Sequence, residues 1–504
     1  MHFTDFPDEI RPYLLPEPSG HMMYRCVQCH EFFPIESLLY TCPRCGSVLM
    51  IEDRQWERLK KFSGSFWQRL FDYRRMLNMS ALKGIFLFHE LLAPLVPLED
   101  IIYLGEGHTP LVKANDALRA WVGLDFYFKN DGQNPSASFK DRGMACALSY
   151  LNHLIRRQGL SDVVSICAST GDTSAAAALY SAYLSRTVKS AVLLPHRKVT
   201  PQQVSQPLGS GAQVYEIPGV FDDCMKVVEY LADHYQVALL NSKNAWRILG
   251  QESYSFEVAQ SFDYEIEGKV VVVPIGNAGN ITAVMGGFLK LLDLGVIGGL
   301  PTIIGVQSEH ADPVFRYYQE SDPGRRVFRP VTVRASVAQA AMIGNPVSMP
   351  RVVRLVETYE QADGRAGVFV VQVSEQEIMD CQIIANRNGH IACTQGGECL
   401  AGLRHAVQKG ILEHGQTVVL DATAHSLKFA GFQERYFADD LDPAFEIVPK
   451  RELINLPSLV QPTGLKRLPE AGKPLPPEEL DAFVEATARE IARQLGLKEK
   501  KELE

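Results

Sequence analysis

The chain has 504 residues, 46% hydrophobic and 22% charged, with 50 basic against 59 acidic side chains and a formal net charge of −9. This is the composition of a globular protein long enough for roughly three domains, and its acidic balance argues against a protein built to neutralise nucleic-acid backbones. No apolar run approaches the ~18 residues of a membrane span. The acidic first residues lack the basic-then-apolar layout of a signal peptide, so the expectation is a cytoplasmic protein with reduced thiols.

The first motif is Cys26-Val27-Gln28-Cys29, followed after a spacer by Cys42-Pro43-Arg44-Cys45-Gly46. Two such knuckles can close a tetrahedral thiolate site on Zn²⁺, with Gly46 allowing the turn after the second. Residues 1–52 are therefore expected to form a tail and a zinc ribbon. A ribbon can contact nucleic acid or serve as a small structural cap, and the acidic total charge favours the cap. Over 53–100, the spacing of Trp56, Leu59, Phe62, Phe66, Leu70, Tyr73 and Leu77 predicts one or two amphipathic helices, a linker with packing or oligomer-forming surface.

From 101 to about 440, strand-like runs alternate with helical patterns. Such alternation predicts an α/β region of two parallel-type sheets, with the ligand at the carboxyl ends of strands between two lobes, the smaller spanning about 136–240. Within it, Asn134-Pro135-Ser136-Ala137-Ser138-Phe139-Lys140-Asp141-Arg142-Gly143 precedes apolar residues at Met144, Leu148, Leu151 and Ile155, one face of a helix. Ser138 is the expected N-cap and Asp141 a favourable first-turn charge. Lys140 then lies near the positive helix end, where a neutral amine is favoured over an ammonium, although a surface lysine has the same local sequence.

The run Val163–Cys167 predicts a strand, and Ala168-Ser169-Thr170-Gly171-Asp172-Thr173-Ser174 turns from it into a helix over 175–184. Hydroxyls and amides there suit a carboxylate or anion, or simply cap the turn. Strand–helix units follow near 188–194 and 213–217, and Val237–Leu240 leads into Asn241, Ser242 and Arg247. Those three suit a phosphate clamp, and also an ordinary surface loop. Lys269–Ile275 predicts the central strand, running into Gly276-Asn277-Ala278-Gly279-Asn280 and an apolar helix to about Leu294. The glycines let backbone amides approach an anion or make a tight turn; neither the Walker lysine nor the full dinucleotide fingerprint is present. Further strands are expected near 302–306, 368–373 and 417–421, the last followed by Thr423. Residues 441–504 form an extension with a proline-rich stretch and a helix over 477–496, to which no function attaches.

Taken in order, the Gly105-Glu106-Gly107-His108-Thr109-Pro110-Leu111 stretch, the Lys140 motif, the 168–174 turn, the 276–280 loop and the 417–428 segment resemble the threonine synthases of the fold-type II pyridoxal phosphate family. The resemblance covers about 101–430 and implies a two-lobed, tryptophan synthase beta-like catalytic region. It implies that Lys140 carries pyridoxal 5'-phosphate, that Gly276, Asn277, Ala278, Gly279 and Asn280 hold the cofactor phosphate, and that Thr423 meets the pyridine nitrogen. Ser169, Thr170, Thr173 and Ser174 would hold the substrate carboxylate, with Asp172 near the cofactor's 3-oxygen where many relatives have asparagine. Asn241, Ser242 and Arg247 would bind the substrate phosphate, with Gln203 where one branch of the family has lysine; Ser426 replaces a family glycine. The activity implied is a lyase forming L-threonine and phosphate from O-phospho-L-homoserine and water, with a structural Zn²⁺ in the ribbon, a small amino-acid phosphate as partner, and a homodimer as the assembly. Left open are a paralogous activity, such as cysteate synthase or threonine dehydratase, and a zinc-ribbon nucleic-acid-binding or regulatory protein on an inactive catalytic fold.

Overall fold

The computed structural model describes residues 3–169, 171–196, 201–219, 221–465, 467–470 and 472–500, excepting the side chains of 201–203 and 221–222. Two compact units result, Met1–Lys450 and Arg451–Glu504. Within the first, β1 (Met22–Cys26), β2 (Phe32–Pro34) and β3 (Leu49–Asp53) form an antiparallel sheet in the order β2-β1-β3. The cysteine knuckles fill its two open turns. Between the ribbon and the α/β region, residues 53–100 make two α-helices, Gly64–Arg75 and the one-turn His89–Leu92, and several short helical turns. The apolar spacing there serves packing more than helix length, since Phe62 stacks on Phe66 and both rings meet Trp67 edge-on.

The strands β4 (Leu111–Lys113), β5 (Asp125–Lys129), β6 (Val163–Ala168), β7 (Val188–Pro195), β8 (Gln213–Ile217), β9 (Val237–Leu239), β10 (Val270–Pro274), β11 (Thr302–Ser308), β12 (Val368–Val373) and β13 (Thr417–Asp421) divide between two sheets. The larger has the order β12-β11-β10-β13-β5-β4, parallel except for the edge pair β4–β5. The smaller is all parallel, β8-β7-β6-β9. Helices on both faces explain the unbroken Val270–Val273 run, all of it buried, which replaces the alternation of a half-exposed strand.

In parallel sheets every strand-to-helix loop leaves by the same edge, so motifs far apart in sequence meet at one rim. The loops after β6, β9, β10 and β13 do so here. The helix Lys140–Gln158 brings its first turn to the same place, where it crosses the helix Ala245–Gln251 at close range. A Cβ on Gly143 would lie 2.8 Å from the Arg247 carbonyl oxygen, and one on Gly250 would lie 2.3 Å from that of Arg142. Only glycines permit that approach, which carries Arg247 to the Lys140 end of its partner helix. No helix among the described residues is long and apolar enough to cross a membrane.

Candidate active site

A cavity of about 900 Å³ opens at this rim. Its lining includes Lys140, Ser169, Asp172, Thr173, Asn241, Ser242, Arg247, Gly276, Asn277, Ala278, Gly279, Asn280 and Thr423. Ser174 does not line it: its hydroxyl donates to the Gly171 carbonyl at 2.7 Å and closes the turn from inside. Thr170 lies outside the described residues, and so does the side chain of Gln203.

The helix carrying the lysine starts differently from its sequence-based expectation. Phe139 occupies the N-cap position, without a side-chain cap, and the Ser138 hydroxyl makes no hydrogen bond. Asp141 instead reaches back, accepting from the Ser136 amide at 2.7 Å. Ser138 cannot turn to the helix because its backbone is held in an antiparallel bridge to Ala424. This bridge sets Lys140 beside the loop after β13.

Among the described residues the Lys140 amine has no hydrogen-bond partner; its Nζ lies 4.0 Å from the Phe139 ring centroid. Burial, then the positive charge of Arg247, pushes its pKa down to about 7, so much of it is neutral near neutral pH. Arg247 is itself buried, and its pKa falls to about 10 through burial. Among the described residues its single hydrogen bond is a long one, 3.4 Å to the Leu240 carbonyl, and its Nε has no partner. Beside it, Asn241 accepts from the Lys243 amide at 2.8 Å, leaving its Nδ2 group without a hydrogen bond. A desolvated guanidinium and a free amide at one wall of a cavity call for an anion.

A lysine balances the charge of Asp172. Lys428 Nζ lies 3.0 Å from the Asp172 carboxylate, and it also donates to the Ser136 carbonyl at 2.9 Å. Nothing local in the sequence joins these two residues; only the meeting of the loops after β6 and β13 does. Arg351, likewise absent from the sequence-based site, is buried without a carboxylate partner and donates to the carbonyls of Leu49 in β3, Ser242 and Lys243 and to the Ser348 hydroxyl. Since Ser348 N–H donates to the Asn277 carbonyl at 3.1 Å, one side chain ties the ribbon to both anion-facing loops.

The glycine loop fits a phosphate group. Ala278 adopts a left-handed φ of +59°, and a Cβ on Gly276 would come within 2.9 Å of Ala341 Cα. The loop runs into the helix Gly279–Asp293, whose first amides have no intrahelical partners. Below it, Asn280 donates to Asp421 at 2.6 Å, a carboxyl whose pKa burial and then Asp131 raise to about 8. Lysine, phosphate cradle and Thr423 hydroxyl thus face one cavity, which suits pyridoxal 5'-phosphate. At the ribbon, Cys26 and Cys45 sulfurs are 3.4 Å apart, Cys29 and Cys42 are 3.6 Å apart, and all four lie within 4.8 Å. Four thiolates about 2.3 Å from one Zn²⁺ would stand slightly under 4 Å from each other, so the cluster is compatible with zinc.

Comparison with known proteins agrees. Residues 102–423 match the family described as pyridoxal-phosphate dependent enzyme, which fixes the class. The threonine synthase of Methanocaldococcus jannaschii is 31% identical over 415 residues, 81% of this chain and 93% of that protein. That of Methanosarcina acetivorans is 33% identical over 408 residues, 80% and 91% respectively. The chain belongs to the pyridoxal-phosphate-dependent threonine synthase family. The same fold is seen in the threonine synthase of Escherichia coli, with a TM-score of 0.61 at 22% identity over 86% of this chain and 95% of that one. It is seen too in the PLP-bound threonine synthase of Brucella melitensis, with a TM-score of 0.56 at 18% identity over 81% and 89%.

Proposed function

We propose that the cavity converts O-phospho-L-homoserine and water to L-threonine and phosphate, with Lys140 as the residue that carries the cofactor. The observation that carries the substrate assignment is Arg247, a buried guanidinium that has no carboxylate partner among the described residues and lines the same cavity as Lys140. Pyridoxal phosphate, when bound, supplies an electron sink for charge developing beside the substrate's amino carbon.

The residues of the chain do the rest. The 276–280 loop would hold the cofactor phosphate, and the Thr423 hydroxyl would bond the ring nitrogen. Ser169 and Thr173, with Thr170, hold the substrate carboxylate. Asp172, its charge balanced by Lys428, would stand near the cofactor's 3-oxygen. Arg247, Asn241 and Ser242 grip the substrate phosphate, assisted by Gln203, and fix the γ carbon. Lys140 Nζ, whose pKa of about 7 leaves it able to give and take protons near neutrality, would take the α proton, pass it on and take a β proton as the phosphate departs from the γ carbon; protons return to the γ carbon and, after water adds its hydroxyl at the β carbon, to the α carbon.

The working arrangement has 1–52 as tail and ribbon, 53–100 as linker, 101–440 as catalytic region with its smaller lobe at about 136–240, and 441–504 as extension. The assembly is a cytoplasmic homodimer. Phosphate release from a panel of phosphorylated amino acids tests the substrate, with O-phospho-L-homoserine expected to be turned over best. Lys140→Ala should lose both turnover and borohydride-trappable cofactor. A covalent adduct surviving in that variant would assign the cofactor to another lysine.

A further inference from the structure

Outside the cavity, the loop that leaves β11 presents a second cluster of ligand-type side chains. Glu309 and His310 meet Glu446, which follows the short turn Pro443–Phe445, and one ligand atom from each lies within 4.8 Å of the others. We propose that these three residues bind a divalent first-row transition-metal cation, at a site separate from the four cysteines.

The argument starts at His310, whose side chain is fully buried. Its Nδ1 stands 2.5 Å from the Ala335 carbonyl oxygen. A carbonyl only accepts, so Nδ1 carries a proton and Nε2 is the ring nitrogen left to offer a lone pair to a metal. That Nε2 has no hydrogen-bond partner and lies 3.5 Å from Glu446 Oε2. A fully buried ring nitrogen without a partner is unfavourable, and a carboxylate oxygen reaching it from the solvent side leaves room for a cation between the two. Further negative charge surrounds them: Glu375 is 3.9 Å from Nδ1, and Glu309 flanks the ring in sequence. The nearby cation Arg334 is engaged with Glu446 Oε1 at 2.5 Å, which leaves Oε2 directed at the imidazole.

The surroundings hold the ligands in place. The His310 amide donates to Ser308 Oγ at 3.0 Å, that hydroxyl donates to Glu375, and the Arg334 amide donates to the His310 carbonyl at 3.0 Å. An imidazole oriented through Nδ1–H to a carbonyl is the usual support of a metal-ligating histidine. One imidazole and two carboxylates, with water completing the shell, suit Zn²⁺ or Mn²⁺ better than Mg²⁺ or a thiophilic ion. The bound ion would clasp the end of the first compact unit to the rim of the large sheet, and would stabilise the fold in proportion to its occupancy.

Holoenzyme already carrying zinc at the cysteines provides the test, titrated with Zn²⁺ by calorimetry and with Mn²⁺ by electron paramagnetic resonance, because thiolates bind Mn²⁺ poorly. One further ion per chain is expected, with a rise in the thermal midpoint. Glu446 is largely solvent-exposed, so Glu446→Gln should fold; its metal dissociation constant should increase about tenfold or more, and its midpoint should no longer respond to the ion. His310→Gln should behave alike. No additional ion of either metal, or unchanged binding in Glu309→Gln/Glu446→Gln, would overturn the proposal and leave a protonated His310 paired with Glu446.

Discussion

Arg142 and Arg247 are both buried guanidiniums, and the helices that bear them touch, yet they are surrounded in opposite ways. Arg142 donates to both oxygens of Asp131 at 2.8 Å, to both oxygens of Glu257 at 2.6 and 2.8 Å, and to Ser253 and Thr109. Lys129 joins the same Glu257 at 2.7 Å. Burial opposes charge there, but the two carboxylates outweigh it and raise the Arg142 pKa well above its ordinary value, while Arg142 and Lys129 hold Glu257 far below its own. Around Arg247 nothing outweighs burial, and the pKa falls to about 10. A closed network of paired charges is architecture, whereas a desolvated charge left open to a cavity is half of an interaction whose other half is a ligand.

The sharpest way to break that comparison is to remove each charge in turn. Arg142→Met should cost about 3–5 kcal/mol of stability, because it strands Asp131 and Glu257 in the interior; urea unfolding measures it, and a loss below about 1 kcal/mol would contradict the reading of a closed network. Arg247→Met should do the reverse. Its removal leaves no buried partner uncompensated, so apo-protein stability should hold or rise, while kcat/KM for the phosphorylated substrate falls on the order of 10²-fold. The cofactor spectrum should stay unchanged, since the glycine loop is separate.

A smaller effect is expected at Arg351, whose burial lowers its pKa to about 9 and whose partners are carbonyls and one hydroxyl. Arg351→Lys keeps the charge but cannot span Leu49, Ser242, Lys243 and Ser348 together, so KM should rise about tenfold with less change in kcat. An equal fall in both kcat and kcat/KM with KM constant would place its influence on the chemical step instead.

The last test is one of pH. Lys140 has a folded pKa of about 7, below its unfolded value near 10.5. Between those values the unfolded chain binds more protons, so this group makes the apo-protein more stable as pH rises from about 7 towards 10.5, and least favourable below 7. Lys140→Met should flatten that part of the stability–pH curve. If wild type and variant have parallel curves, the amine is not desolvated in the apo-protein.

Much of this was legible along the chain. The Val270–Val273 run announced a strand covered on both faces, the 276–280 glycines an anion loop, and the cysteine spacing a ribbon. These are local signals, set by backbone conformation, periodicity and short-range spacing. Asn134–Gly143 located the lysine but misled at the cap, because Ser138 reads as an N-cap until its bridge to Ala424 is known.

What the sequence by itself determined was therefore the elements, the order of the loops and the residue types available for chemistry. Tertiary structure alone decided which charges are paired. Arg142 and Arg247 both lie in helical stretches, and only the positions of Asp131 and Glu257 make one a strut and leave the other open. Lys428 balances Asp172, and Arg351 joins the ribbon to the 242–243 loop, across separations that no local pattern encodes. Electrostatic interaction depends on distance and desolvation in space, and both are set when parallel strands deliver their loops to one rim.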